Sequence, residues 1–247
     1  KPFHIGHIRS TLIGNVIKNI YKFLGYNTIG VNHLGDYGTQ FGKIIAAYKL
    51  WGNDDQINAD PINQLLKLYV DFNNLCKTDE NMLETARNYF NRLENGDEES
   101  VKLWNWFKDI SLMEFQKVYD KLKVEFDSYR GEAYHSQFIN DVVKELEEKN
   151  LLTESDGCKI VNLDKYGLPP ALILKSNSSS TYITRDIATA LTRKKDYNFS
   201  KNIYVVATQQ KLHFEQLIAV LKEMGYEWAN DCIHVSFGMV SVKDDLL

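Results

Sequence analysis

The apolar positions near the start of the chain recur with a helical period. Residues 11–24 carry an apolar side chain every three or four positions, and Gly25 follows where a helix is expected to end. Residues 28–32 then have the composition of a short strand. Apolar positions in residues 41–48 predict a second helix, closed by Gly52.

A long, mostly helical stretch follows. Residues 53–61 are polar and predict a linker, and beyond it the pattern is helical to about residue 123. After a further helix at 138–146, the alternating segments 158–163 and 171–175 predict a β-hairpin. The aromatic side chains of this stretch, including Trp104, Trp106 and Phe107, fall on helical spacing. Packing is therefore favoured over base stacking.

The last part of the chain alternates helices with strands. Helices are predicted at about 185–194 and 214–224, and strands at 203–207 and 232–237. This alternation is typical of an α/β domain.

The whole pattern predicts a Rossmann-like, doubly wound parallel sheet that is split by a largely helical insertion. Residues 1–52 would form its first half and residues 176–247 its second half. Residues 53–175 would form the insertion, including the small β-hairpin. Such a sheet binds nucleotides outside the carboxyl ends of its strands, where the two halves meet.

Composition narrows the class of protein. No apolar run approaches the roughly 18 residues of a membrane span, so no membrane association is expected, and no secretory signal is predicted. Cys76, Cys158 and Cys232 are far apart, which indicates neither a disulfide framework nor a zinc site and favours a reducing, cytoplasmic setting. The net charge of −4 is not typical of a nucleic-acid-binding protein.

Two histidines flank a glycine immediately before the first predicted helix. In His4-Ile5-Gly6-His7, the glycine would let a bulky ligand approach the backbone, and the helix N-terminus would offer free N–H groups. The two imidazoles could donate hydrogen bonds to phosphate oxygens. The other interpretations are a metal-binding pair and two unrelated surface histidines. The motif alone does not decide among the three interpretations.

Five sequence blocks carry a resemblance to a known family: residues 1–11, 32–42, 182–186, 208–213 and 234–240. In this order they resemble the arginyl-tRNA synthetases, a family of class I aminoacyl-tRNA synthetases. The first block resembles their HIGH signature, and the second has Tyr37 where tryptophan is more usual.

The resemblance implies a reaction. The protein would be an arginine–tRNA ligase that activates L-arginine with ATP and passes it to tRNA(Arg), with Mg²⁺ accompanying ATP and no zinc. The arginine carboxylate would attack the α-phosphorus of ATP while pyrophosphate leaves. Little covalent chemistry then falls to the protein, so positioning and charge stabilisation should dominate. A monomer is expected.

The resemblance also implies roles for residues at the nucleotide. His4 and His7 would be the catalytic residues that bind and stabilise the ATP phosphates, with Gly6 in the same ATP-binding motif. Met239 and Val240 would offer backbone groups to adenine.

For arginine, the resemblance implies that Tyr182 and Asp186 recognise the side chain and that Gln210 helps to hold the amino-acid end. A planar guanidinium is matched by a carboxylate, which accepts two parallel hydrogen bonds. The residues alone leave other interpretations open. Asp186 could simply complement the dipole of a helix start, and Tyr182 could be part of the core.

The chain departs from the family pattern at both ends. An acidic residue and a Ser-Pro-Asn are expected before the Lys-Pro pair, and a KMSKS-like loop is expected after Val240, where residues 241–247 stand instead. These departures predict an incomplete site in the isolated chain. They leave open a binding-only or inactive synthetase-like domain that holds ATP, an amino acid or tRNA. Two enzyme rivals are a cysteinyl synthetase, which needs zinc-binding cysteines, and a nucleotidyltransferase, which has no reason to carry the 182–186 block.

Overall fold

The computed structural model describes residues 3–240, and the chain divides between Tyr129 and Arg130 into two units. Each unit has its own hydrophobic cluster. The described part is a helix-rich α/β structure with two small sheets.

The first unit is helical. Its helices are α1 (Ile5–Phe23), α2 (Thr39–Trp51), α3 (Asp54–Ala59), α4 (Pro61–Thr78), α5 (Asn81–Glu94) and α6 (Glu98–Leu122). Ile45 of α2, Phe72 of α4 and Phe107 of α6 are fully buried in one cluster, so the predicted packing role of Phe107 is confirmed.

The predicted linker at residues 53–61 is wrong, because it contains α3. The Asn53 side chain accepts a hydrogen bond from the Gln56 backbone N–H at 2.9 Å, and Asp54 and Asp55 lie in the first turn, where acidic groups complement the helix dipole. Pro61 begins α4 at a position where its missing N–H costs nothing. The polar residues are therefore helix-starting signals.

The strand predicted at residues 28–32 is also wrong. Val31 makes only an isolated bridge with Ser128, where the backbone groups of Gly30 and Asn32 bond to those of Asp127 and Ser128. The Asp127 side chain adds to these contacts. That carboxylate accepts hydrogen bonds from Lys18 Nζ at 2.6 Å and from the Gly30 backbone N–H at 2.7 Å. The Lys18 contact is the main reason why the pKa of Asp127 is lowered from its ordinary value.

Helix α1 has the predicted amphipathic pattern, yet none of its residues is fully buried. Its apolar face includes Val16, Ile20 and Phe23, and Phe23 is 91% exposed. The apolar period therefore predicted the helix correctly, although it did not predict burial of that face.

The second unit combines helices with two sheets. Its elements are α7 (Glu132–Ser136), α8 (Ile139–Glu148), β1 (Leu152–Ser155), β2 (Cys158–Val161), β3 (Ala171–Leu174), α9 (Tyr182–Tyr197), β4 (Asn202–Ala207), α10 (Lys211–Glu223) and β5 (Cys232–Phe237). The predicted hairpin is part of the antiparallel sheet β1-β2-β3. The predicted helix–strand–helix–strand order from α9 to β5 is confirmed.

Strands β4 and β5 are parallel, and α10 connects them. Their register runs from Asn202 opposite Cys232 to Ala207 opposite Phe237. Leu217 of α10 and Ile187 of α9 are fully buried in the cluster of this unit, together with Ile173 of β3. These contacts fix both helices against the rest of the unit.

Within residues 3–240, no helix combines the length and the apolar character needed to cross a membrane.

Gly42 offers a test of the packing between α2 and α5. A Cβ atom there would lie 2.1 Å from the Ala86 carbonyl oxygen, so Gly42→Ala would force the two helices apart. We expect the free energy of unfolding to fall by about 1–3 kcal/mol, although alanine in an exposed helix is about 1 kcal/mol more stable than glycine. Urea denaturation followed by tryptophan fluorescence measures this change, because Trp51, Trp104 and Trp106 lie in the first unit.

Leu50→Ala is the control, since Leu50 is an exposed residue of the same helix. Its effect should stay within about 0.5 kcal/mol. A stabilised Gly42→Ala variant would contradict the close approach of the two helices.

Candidate active site

The two histidines of the first motif form a reciprocal cap at the start of α1. His4 is the N-cap residue, and its Nδ1 accepts a hydrogen bond from the Gly6 backbone N–H at 3.1 Å. The His4 backbone N–H donates to Nδ1 of His7 at 3.2 Å, and the two ring centroids are 3.9 Å apart. The structure therefore brings His4 and His7 together at a helix N-terminus, as the phosphate-binding interpretation requires.

This cap also determines the tautomer of both rings. A neutral imidazole that accepts a hydrogen bond at Nδ1 carries its proton on Nε2. Both histidines are thus prepared to act as Nε2–H donors, which suits an anionic ligand. Both side chains are exposed to solvent.

Gly6 keeps the cap compact. A Cβ atom at this position would lie 3.0 Å from Cε1 and 3.1 Å from Nδ1 of His4. Any other residue would therefore press against the imidazole ring, so glycine supports the His4 position as well as close approach by a ligand.

Aromatic side chains pack behind His7. The Phe3 ring lies 5.2 Å from the His7 ring and 5.5 Å, edge to face, from the Tyr119 ring of α6. The Tyr119 hydroxyl accepts a hydrogen bond from the Asn32 side-chain amide at 3.0 Å. Helix α6 thus connects the first motif to the second block, a link that the sequence did not reveal.

The second block is held by α5 and α6. The Trp104 indole N–H donates to the Asp36 carbonyl oxygen at 2.8 Å. The Tyr37 ring packs edge to face on Phe90, at 5.1 Å between centroids, and its hydroxyl bonds to Glu94. Tyrosine therefore makes a polar contact here through its hydroxyl group.

In the second unit, two predicted segments follow the same end of the parallel strands. Gln210 lies directly before α10, three residues after β4 ends at Ala207. Met239 and Val240 come just after the end of β5, and both are exposed. Because Ala207 and Phe237 are register partners, these segments leave the sheet side by side at its carboxyl edge.

Asp186 is connected to this edge by a histidine. Its Oδ2 atom lies 2.6 Å from Nε2 of His213, in the first turn of α10. The Asp186 side chain is 25% exposed, so it is open to a ligand. His213 belongs to the 208–213 block, yet no local pattern in the sequence indicated its contact with Asp186.

The simpler interpretations of Asp186 and Tyr182 are wrong. Asp186 is the fifth residue of α9, beyond the first turn, where the helix dipole would favour an acidic group. Tyr182 is 65% exposed and is therefore not a core residue. The Arg185 guanidinium lies over its ring at 4.4 Å from the centroid, while Arg185 Nε is 3.4 Å from a Glu132 carboxylate oxygen.

In the described residues, potential metal ligands are dispersed and the Cys232 thiol is buried. Within residues 3–240, no three His, Cys, Asp or Glu side chains come close enough together to hold a metal ion. Burial raises the pKa of the Cys232 thiol to about 11, so this thiol stays protonated at neutral pH and is a poor nucleophile.

Comparison with known proteins gives consistent matches along the chain. The family model described as "tRNA synthetases class I (R), catalytic domain" matches residues 1–246. The arginine–tRNA ligase of Halothermothrix orenii is 58% identical over 244 residues, covering 99% of this chain and 43% of that protein. The arginine–tRNA ligase of Clostridioides difficile is 54% identical, with the same coverage of both chains.

A solved structure agrees with these matches. The arginyl-tRNA synthetase of Plasmodium falciparum superposes with a TM-score of 0.81 at 30% sequence identity, covering 98% of this chain and 42% of that one. The chain therefore spans less than half the length of the relatives it matches. The match of the family model over residues 1–246 shows that this chain belongs to the catalytic-domain family of the class I arginyl-tRNA synthetases.

Proposed function

We propose that the protein containing this chain is an arginine–tRNA ligase. It would use ATP to convert L-arginine to arginyl-adenylate and then transfer the arginine to tRNA(Arg). Membership of the family supports this proposal, as do the names of relatives that are 54% and 58% identical. The complete reaction, with its substrates and its tRNA partner, is proposed for the protein that contains this chain.

The position of Asp186 carries the proposal for substrate specificity. Its carboxylate is partly exposed, has an acceptor oxygen held by His213, and lies on the same helix as the exposed Tyr182 ring. A carboxylate fixed in this way can accept two parallel hydrogen bonds from a guanidinium, and a tyrosine ring can contact its planar face. Gln210, three residues before His213, would contact the amino-acid end of the substrate.

For ATP, we assign the phosphates to His4 and His7. Their Nε2–H groups and the N-terminus of α1 form a donor set for negative charge, and Gly6 allows close approach. Such donors accelerate the reaction by stabilising the charge that moves onto the phosphates as pyrophosphate leaves. The backbone groups of Met239 and Val240, beyond the carboxyl end of β5, would meet adenine.

The proposal also covers the fold and the division of the chain into domains. We infer that the parallel strands β4 and β5 belong to a Rossmann-like, doubly wound fold. Residues 1–52 and 176–247 would be the two halves of this catalytic domain, and residues 53–175 would be the insertion. The β4-α10-β5 crossover supports this inference.

Mg²⁺ would enter with ATP, because this ion is commonly held by substrate phosphates and a few carboxylates. The protein would act in the cytoplasm as a monomer.

Asp186→Asn tests the specificity assignment. Removal of the charge should weaken L-arginine binding about 10- to 100-fold, because a hydrogen bond to a charged group is worth about 1.5–3 kcal/mol. The affinity for ATP should change less than about twofold, since only the partner of the guanidinium is altered. Calorimetry on the full-length protein measures both constants, with lysine and citrulline as competing amino acids.

Asp196→Asn is the matched control, since it makes the same change on the same helix at the Arg130 ion pair. It should leave arginine binding unchanged. Equal losses of arginine and ATP affinity in Asp186→Asn would contradict the assignment, and so would absence of selectivity for arginine in the unmodified protein. Selective arginine binding without ATP–pyrophosphate exchange would favour a binding-only or inactive domain.

His7→Ala tests the phosphate assignment. Loss of one donor should slow arginyl-adenylate formation about 100- to 1,000-fold. Arginine affinity should stay within about twofold, because Asp186 and Gln210 are untouched. ATP–pyrophosphate exchange in the presence of tRNA reports the rate, and calorimetry reports the arginine affinity.

Ser10→Ala is the control for helix α1. Ser10 lies one turn further along, where its hydroxyl donates to the His7 carbonyl oxygen at 3.1 Å. A rate loss in Ser10→Ala as large as that in His7→Ala would mean that the integrity of the helix, and not the imidazole, determines the rate.

A further inference from the structure

The contact between His213 and Asp186 joins two helices at the candidate arginine site. His213 is the third residue of α10, and its Nε2 lies 2.6 Å from Oδ2 of Asp186 on α9. The two residues are 27 positions apart in the chain. Their side chains are 22% and 25% exposed, respectively.

The chemistry of the pair fixes the direction of the hydrogen bond. An ionised carboxylate only accepts, so Nε2 of His213 must carry the proton and donate it. One lone pair of Oδ2 is thereby occupied, and the plane of the carboxylate is restrained. The remaining lone pairs of both oxygens can still receive the two parallel N–H groups of a guanidinium.

A purely structural role for this contact is weakly supported. The net contribution of a single hydrogen bond to stability is modest. Helices α9 and α10 are already fixed by the fully buried Ile187, Leu217 and Leu221, which lie in one hydrophobic cluster. The fold of this unit therefore does not depend on the His213–Asp186 contact, which suggests that the contact serves the site.

The position of His213 on α10 also links its contact with Asp186 to the other end of the proposed arginine site. Gln210 is the N-cap residue of this helix and is followed directly by its first turn. The same turn thus carries the residue that holds Asp186 and the residue proposed for the amino-acid end of the substrate. The two ends of the arginine site share one rigid support.

We propose that His213 is a positioning residue for arginine recognition, which holds the Asp186 carboxylate in the orientation that receives the guanidinium. The proposal rests on the proposed function, since it deepens the role given there to Asp186. His213 itself is not required to touch the substrate.

Two amide substitutions at His213 separate the length of the side chain from its ability to donate a hydrogen bond. In His213→Gln the side-chain amide nitrogen can occupy the position of Nε2 and donate to Asp186, whereas in His213→Asn it is too short to do so. We expect His213→Asn to weaken L-arginine binding about 10-fold, as is typical for loss of a supporting hydrogen bond, and His213→Gln to stay within about threefold of the unmodified protein. Calorimetry on the full-length protein gives the arginine and ATP affinities.

A double-mutant cycle tests whether His213 acts through Asp186. In the Asp186→Asn background, His213→Asn should cause a further loss of less than about twofold, because the group that it positions is already altered. ATP affinity should be unchanged in every variant. Glu215→Gln, on the next turn of α10, is the control and should bind arginine normally.

The possible results separate this proposal from the one on which it rests. Equal arginine affinity in His213→Asn, His213→Gln and the unmodified protein would overturn the positioning role while the Asp186 assignment stands. Equal losses in both variants, or an additive loss in the double mutant, would also overturn it. If the unmodified protein does not prefer arginine to citrulline and lysine, the proposed function itself fails.

Discussion

The parallel register of β4 and β5 is the constraint on which the candidate site of the second unit depends. Because Ala207 lies opposite Phe237, the segments that follow these strands leave the sheet at one edge. Helix α10 begins at Lys211, so Gln210 and His213 lie close to the end of β4. A hydrogen bond from His213 connects Asp186 of α9 to this edge. A shift of register between β4 and β5 would move the segments that follow these strands apart from each other. These segments are distant in the sequence, so only the register keeps them together.

In the first unit the corresponding constraint is the start of α1. The two histidines satisfy backbone N–H groups that a helix start leaves without partners, and the same hydrogen bonds determine their tautomer. Helix α6 supports this arrangement through Tyr119 and Phe3, and it holds the second block through Trp104. The helical stretch after residue 52 therefore contributes directly to the order of the first motif.

Local patterns predicted the features that depend on neighbouring residues. The apolar period predicted α1 and α2, and alternation predicted β4 and β5. The strand expected at residues 28–32 failed because its pairing is limited to an isolated bridge with Ser128, and the segment's other contacts are with Asp127, about a hundred positions away. The linker failed because a cluster of Asn and Asp residues predicts a turn and a helix start equally well.

In the candidate site, too, features that depend on neighbouring residues were predictable and contacts between distant residues were not. His4, Gly6 and His7 are adjacent in sequence, so their association could be predicted from the motif. The exposure of Tyr182 and the position of Asp186 beyond the first turn of α9 depend on where that helix begins, and the predicted start was about three residues late. The His213–Asp186 contact joins two helices, so no local pattern could indicate it.

Selectivity for a guanidinium requires more than a negative charge. A lysine ammonium is a point charge that can pair with a carboxylate in many orientations, whereas the guanidinium fork needs both oxygens in one plane. A freely rotating aspartate would therefore attract both amino acids through its charge. Restraint of the carboxylate plane would favour arginine in the proposed site, because the entropy of ordering Asp186 is lost on folding and not on binding. On this argument the hydrogen bond from His213 would contribute to the proposed specificity more than to affinity for cations in general.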